Sequence, residues 1–392
     1  MAPRPLQVAV MLVLLLGTLD AAPAQVPAKA QAATPKKSPY AKLVEPWPDA
    51  EQTRRRRLDA ESRRLFSRAD ALPFTLTTDF DAVNRDRDPN SSKHFPGVLT
   101  LAREGGKTDS MPVTLSARGH FRRMSRNCAA VPLRIEFPSD RVKGTAFDGQ
   151  KSLKLVTQCR DDKDFDQYVL REYAVYRLLN LLTPRSFRAR LVRPTYVNET
   201  AGKKAPASGQ TVTPRYGLLI EDDGDVARRM EGRITDLPRV EFKDLDRDAL
   251  TLMMLFQYMI GNTDWSIYSL HNVHLIQLQR QPRLLFPVPY DFDMAGVVNA
   301  SYAVTNSRLS IRSVQERLYR GPCRSVAELE TALAPFRAKK DALMAVFDSV
   351  PDLDHTSGRD GKKYLEEFFS AISRPGSVKR LFVDGCERKP AI

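Results

Sequence analysis

Between residues 258 and 293 the chain reads YMIGNTDWSIYSLHNVHLIQLQRQPRLLFPVPYDFD. Asp264, His271, Asn272, His274, Asp291 and Asp293 stand at the ends of its apolar runs. Carboxylates bounded by strand-like hydrophobic segments are costly to place unless a cation or a proton meets them. Oxygen donors of this kind suit Mg2+ or Mn2+. The stretch therefore poses a choice between a metal, a nucleotide and two merely polar turns.

Phosphoryl transfer needs few protein parts. A lysine steadies the nucleotide phosphates, a helix glutamate steadies the lysine, and an aspartate positions the acceptor. An asparagine and a further aspartate hold the divalent metals. Each part has a candidate. Lys154, in SLKLV, alternates with Leu153 and Leu155 and so faces away from them. Glu172 follows in DFDQYVLREYAVYRLLNLL, where Phe165, Tyr168, Val169, Tyr176 and Leu179 make one stripe at helical spacing. Glu172 falls in the middle of that stripe. It needs a structural partner or a lysine from the neighbouring sheet. Asp264 is the candidate acceptor-positioning acid, and Asn272, Asp291 and Asp293 are the candidate metal ligands. Arg118, Gly119 and Arg122, in SARGHFRRMSRNC, form either a basic hairpin tip or a phosphate contact through guanidinium and backbone N–H groups.

The elements that must position these residues follow from periodicity. GVLTLARE and MPVTLSARG flank a Gly105-Gly106 turn and predict a hairpin, which VPLRIEF and SLKLV continue. ARLVRPTYVNE and RYGLLIEDD are further strands, joined by TAGKKAPASGQTVTP. DLDRDALTLMMLFQYMI is apolar nearly all round and belongs in a core, stopping at Gly261. Ser325 and Glu328 spell a capping box, and Pro335 is expected to kink or break the helix that follows. Residues 49–225 thus read as a basic helix plus a β-rich lobe. Residues 226–392 read as a helical lobe carrying the catalytic and metal loops. The expected fold is α+β and two-lobed, like a protein kinase, with an antiparallel β-rich N-lobe and a mostly helical C-lobe.

GNTDW…HN…PYDFD, preceded by ARGHFRR…SLKLV…REYAVYRLLN, resembles the CotH-type (spore coat protein H) family of atypical secreted kinases. The resemblance covers roughly residues 95–300. It implies ATP and Mg2+ or Mn2+ as cofactors and an exported protein as phosphate acceptor. It also implies Asp264 as the catalytic aspartate, Asn272 and Asp291 as metal ligands, and Lys154 with Glu172 as the nucleotide pair. Arg118 and Gly119 would sit near the phosphates. The chain departs from ordinary kinases in three ways. Asp264 and Asn272 are farther apart than in H-R-D-x-x-x-x-N, the metal motif is Asp-Phe-Asp, and no G-x-G-x-x-G loop occurs.

Two other functions compete. In a metal-dependent hydrolase, His271, His274, Asp264, Asp291 and Asp293 would form the cluster, although H-x-x-H on a strand puts its histidines on opposite faces. In a non-catalytic module, the net charge of +14 would bind an acidic partner outside the cytoplasm.

The N-terminus favours export. Arg4, the apolar run Val8–Leu16 and Ala22-Pro23-Ala24 predict a signal peptide over residues 1–24, followed by a flexible leader over 25–48. The destination is periplasmic or extracellular. Four cysteines in an oxidising compartment suggest two disulfides. Cys128–Cys159 and Cys323–Cys386 are favoured, because each pair lies within one contiguous region.

Overall fold

A computed structural model describes residues 40–387 apart from 104–105, 139, 200–213 and 238. The signal peptide and the leader up to residue 39 lie outside the described residues, as does most of the TAGKKAPASGQTVTP loop. Strand alternation builds the first layer: β1 (Leu72–Thr78), β2 (Phe95–Ala102), β3 (Thr108–Ala117), β4 (Leu133–Glu136), β5 (Ser152–Val156), β6 (Ala189–Asn198) and β7 (Gly217–Ile220). They pair in the order β1-β2-β3-β4-β5-β7-β6 and close into a barrel. The seam is a parallel pair, with Leu72 opposite Val192 and Thr78 opposite Asn198. The other neighbours are antiparallel. Phe74, Leu76, Leu99, Leu115, Leu133, Ile135, Leu153 and Leu155 fill the interior.

Helices α1 (Ala41–Val44) and α2 (Ala50–Glu61) precede the barrel, and α3 (Phe80–Arg85) joins β1 to β2. The basic face of α2 is partly consumed by structure. Arg57 reaches Glu231 at 3.1 Å, and Arg63, just past its end, reaches Asp225 at 3.1 Å. Helix α4 (Lys163–Leu182) crosses between β5 and β6. The Asp162 carboxylate caps its start, and Pro184 ends it by disfavouring helical backbone at Thr183. Beyond the expected stripe, Leu170, Tyr173, Ala174, Val175 and Leu178 are also buried, so α4 is packed on nearly all sides.

Helix α5 (Asp223–Arg229) follows β7 and runs across residue 225, where the lobe boundary was expected. Then come β8 (Gly232–Thr235), α6 (Arg247–Ile260), β9 (Val273–Leu278) and β10 (Gln281–Pro289). The three strands form their own sheet in the order β10-β9-β8. Asp246 caps α6, and Gly261 ends it in the left-handed region at φ +66°. A Cβ there would run into the Tyr364 hydroxyl, so glycine is required twice over. Helices α7 (Val326–Ala338), α8 (Lys340–Ser349) and α9 (His355–Ser373) follow, then a π-helical turn at Lys379–Val383. The expected capping box at Ser325 and Glu328 forms.

Two expectations are overturned. The architecture is not a two-lobed kinase fold with an antiparallel N-lobe and a helical C-lobe. The first seven strands seal into a mixed barrel through the parallel β1–β6 seam, and a three-stranded sheet occupies the C-terminal half. Pro335 does not break α7, which runs on to Ala338 with the proline inside. The break falls at Lys339, whose N–H bonds back to Pro335 before α8 begins.

Both disulfides join the expected cysteines, Cys128–Cys159 and Cys323–Cys386. They fit a secreted protein. No helix among the described residues is long and apolar enough to cross a membrane.

Candidate functional site

The period of β5 sets Lys154. Leu153 and Leu155 point into the barrel, so Lys154 points out, toward the elements packed on its outer face. Its ammonium lies 2.5 Å from Asp223 Oδ1, 4.6 Å from the Tyr290 ring centre and 5.6 Å from that of Phe187. Burial, offset by Asp223, lowers the Lys154 pKa, and nearby Arg118 adds to the lowering. Asp223 is the other half of this pair. Burial opposes its charge, but His274 and Lys154 hold it well below the usual carboxylate range. His274 approaches Asp223 at 3.5 Å, too far for a good hydrogen bond, and stacks on Tyr290 with centres 4.7 Å apart.

Lys154 therefore does not pair with Glu172, as the sequence suggested. Glu172 is 1% exposed, and its Oε1 has no hydrogen-bond partner. Burial, with Asp293 and Asp291 close by, raises its pKa well above the ordinary value, and Arg122 and Arg118 oppose that rise. One turn along α4, the Tyr176 hydroxyl accepts the Asp291 N–H at 3.0 Å. The helix thus fixes the acid loop by a backbone bond.

Two loops after α6 carry the remaining acids, and they are tied together. Gly296 N–H donates to the Gly261 carbonyl, Val297 N–H to that of Ile260, and Tyr290 N–H to that of Asn272. The long Asp264–Asn272 spacing is absorbed by a small bridge. Ser266 and His271 exchange two backbone hydrogen bonds of 2.9 Å, which folds the extra residues into a turn with Leu270 at φ +55°. Asn272 is thereby brought back onto Asp264. Its amide donates to the Asp264 carbonyl at 2.8 Å and to Oδ2 at 3.1 Å. His271 Nε2 lies 3.0 Å from Asp264 Oδ1, a contact that raises the His271 pKa. Asn272 and Asp291 both adopt positive φ, +53° and +64°. Asn and Asp tolerate that region best among residues with a side chain, and such positions concentrate at functional sites.

Asp293 is buried, and its pKa is pushed up to about 7 by burial and by Asp291, against the pull of Arg122. Tyr302 hydrogen-bonds to it. Arg122 donates to the Thr157 carbonyl, and although burial opposes its charge, the nearby Asp293, Glu172 and Asp291 hold its pKa above the ordinary value. Arg118 continues the β3–β4 pairing through its N–H to Pro132, and Gly119 turns the chain at φ +80° in an exposed position.

The structure thus gathers Glu172, Asp264, Asn272, Asp291, Asp293 and Arg122, with Arg118 placed to act on both Glu172 and Lys154. Gly119 lies on the exposed hairpin tip. The histidines of the hydrolase reading go to different carboxylates, His271 to Asp264 and His274 to Asp223. Among the described residues, no three His, Cys, Asp or Glu side chains are grouped to hold a metal ion. The sequence reading missed Asp223 and Tyr302. Asp223 was visible only as part of IEDDGD, where it reads as helix-start chemistry, and Tyr302 carried no spacing signal. Compared with protein-family models and with curated proteins, the chain matches none.

Proposed function

We propose that the chain is an exported phosphotransferase that binds ATP with Mg2+ or Mn2+ and passes phosphate to an exported protein, with site chemistry like that of the CotH-type kinases. The observation that carries this reading is the pairing of Asp264 with Asn272 beside Asp291 and Asp293. Asp264, steered by His271 and Asn272, is the group that would receive the acceptor hydroxyl's proton. Arg118, Arg122 and Lys154 are the cations available to phosphate oxygens.

The donor set fits a divalent cation. Asp293 and Glu172 are buried, mutually repelling and shifted toward their protonated forms, and Glu172 Oε1 is unsatisfied. Added positive charge relieves that repulsion. Asn272, Asp291 and Asp293 would hold it. Mg2+ commonly takes one or two protein carboxylates and completes its shell with water and substrate phosphates, so a ready cage of three acids is not required. Bound there, the ion would neutralise charge on the phosphates.

Titration calorimetry on the mature protein tests the proposal. ATP should bind only when Mg2+ or Mn2+ is present, and Asp291→Ala should abolish that binding. Asp264→Asn should keep binding and lose phosphate transfer. Absence of nucleotide binding with either metal would sink the reading. A nucleotide-binding protein without turnover is the second reading. It is favoured by Lys154 being held on Asp223 instead of Glu172, and ATP binding with no phosphate transfer would select it.

A further inference from the structure

A cleft of about 420 Å³ opens where the loop before β1, the end of α4 and the start of β6 meet. Arg68, Arg177, Arg188 and Arg229 line it, and among the described residues no aspartate, glutamate or lysine does. Three of these guanidinium groups lie against other residues of the wall. That of Arg177 donates to the Tyr173 hydroxyl at 3.0 Å, 5.7 Å from the ring centre. That of Arg188 sits 5.1 Å from the Phe66 ring centre, and that of Arg229 donates to the carbonyls of Pro184 and Ser186.

The charge around the cleft is unbalanced. Glu221 is fully buried and shared by Arg188 at 2.6 Å and Arg229 at 2.7 Å. Asp70 is shared by Arg68 at 2.9 Å and Arg190 at 3.2 Å. Arg177 has no carboxylate partner among the described residues. Five guanidinium groups thus meet two carboxylates. Hydrogen bonding is unbalanced in the same direction. Carbonyl oxygens would repel an anion, but those of the turn after α4 are already occupied. Ser186 Oγ donates to that of Thr183, Arg229 to those of Pro184 and Ser186, and Asn180 to that of Phe187. Donors are left over. Arg177 uses only Nη1, and its other nitrogens are open to solvent. Arg68 uses only Nε and is 74% exposed. Arg188 and Arg229 are fixed by Glu221 and by main-chain carbonyls, so the positive field is built in before any ligand arrives.

We propose that this cleft binds a phosphate monoester. Arg177 and Arg68 donate to its oxygens, and the clamped Arg188 and Arg229 keep the surroundings positive. A monoester carries close to two negative charges at neutral pH and three strong acceptor oxygens, so it answers the surplus of charge and of donors better than a single carboxylate. The site does not depend on the phosphotransferase reading, whose cations are Arg118, Arg122 and Lys154.

Glycerol 3-phosphate is the probe, titrated by calorimetry into the full mature chain with a chelator present, so that no divalent ion serves the acid centre. Saturable binding is expected, about tenfold weaker in Arg177→Gln and about threefold weaker in the more exposed Arg68→Gln. Arg68 pairs only with Asp70, so its variant folds even if the other does not. Asp291→Ala should bind as the parent does. So should Lys93→Gln, an exposed cation just before β2 and hence at the other end of the barrel. Phosphatidylcholine vesicles with and without phosphatidic acid separate the two sources of a monoester. Sedimentation with phosphatidic acid that Arg177→Gln abolishes assigns a lipid headgroup, and glycerol phosphate binding without it assigns a dissolved ester. The proposal is overturned by any of three results: no saturable binding of glycerol 3-phosphate, parental affinity in both arginine variants, or a loss in Lys93→Gln or Asp291→Ala as large as in Arg177→Gln.

Discussion

Asn272 donates to Asp264 twice, to its backbone carbonyl at 2.8 Å and to its Oδ2 at 3.1 Å, from a backbone held at φ +53°. Orientation of the acid thus depends on both a side-chain amide and a left-handed backbone. The two contributions are separable. Asn272→Gly keeps the backbone region and loses the amide, at an expected cost of about 1–2 kcal/mol. Asn272→Ala loses the amide and adds left-handed strain, about 1 kcal/mol more. Urea unfolding of the pair measures the difference. Glycine loses more chain entropy on folding than alanine, so an Ala variant more stable than the Gly variant by about 0.4–1 kcal/mol would show that the positive φ carries no strain.

The elements around this pair were largely legible, because each has a local signal. Alternation marked β2 to β5, the all-round apolar pattern marked α6, and Gly261 marked its end. Barrel closure was not legible. It depends on β1 lying parallel to β6, with Leu72 meeting Val192, and no local pattern encodes a pairing so distant in sequence. Without the seam, strands followed by helices read as two lobes. The site divided in the same way. Asp264, Asn272, Asp291 and Asp293 stood out because carboxylates and an amide ended apolar runs. Asp223 did not, since an acid at the start of α5 is already explained by favourable helix-start electrostatics. Glu172 was correctly expected to be buried, but which cation met it was a matter of three-dimensional placement.

Lys154 and Asp223 form a buried pair whose members should be unequal in isolation. Their side chains are 9% and 24% exposed. Asp223→Ala strands the ammonium in an apolar setting beside Arg118 and should cost about 3 kcal/mol. Adding Lys154→Met removes the stranded charge and should recover most of that loss. A double-mutant cycle by chemical denaturation reads both terms. If the double variant is no more stable than Asp223→Ala alone, the loss came from elsewhere, with the His274 contact the first place to look.

The two disulfides close loops of different length, with sequence separations of 31 and 63 residues. Chain-entropy arithmetic gives about 4 kcal/mol for each, slightly more for Cys323–Cys386. Paired Cys→Ser variants, melted under oxidising conditions, should both fall well below the parent. A variant that melts with the parent would mean that its bridge removes no loop entropy from the unfolded chain.

Acid crowding at Asp293 makes a signed prediction about pH. In the folded chain this carboxyl holds its proton up to about pH 7, against an ordinary value of 3.8, through burial first and Asp291 second. Between those values the folded state binds more protons than the unfolded state, so stability falls as pH rises. Glu172 leans the same way. His271, raised chiefly by its hydrogen bond to Asp264, contributes stability that is full below its ordinary value of 6.5 and lost as pH rises through its folded value. All three groups make the chain weaker at about pH 8 than at about pH 5. Asp293→Asn keeps an acceptor for Tyr302 and removes the charge. It should flatten the profile and stabilise the protein by about 2 kcal/mol at the alkaline end. Mg2+ should do for the parent what the substitution does, raising its melting temperature more at about pH 8 than at about pH 5, with little effect on the variant. Calorimetric melting across that range, with and without the metal, decides the matter. A parent whose stability is level across the range would remove the repulsion on which the cation site rests.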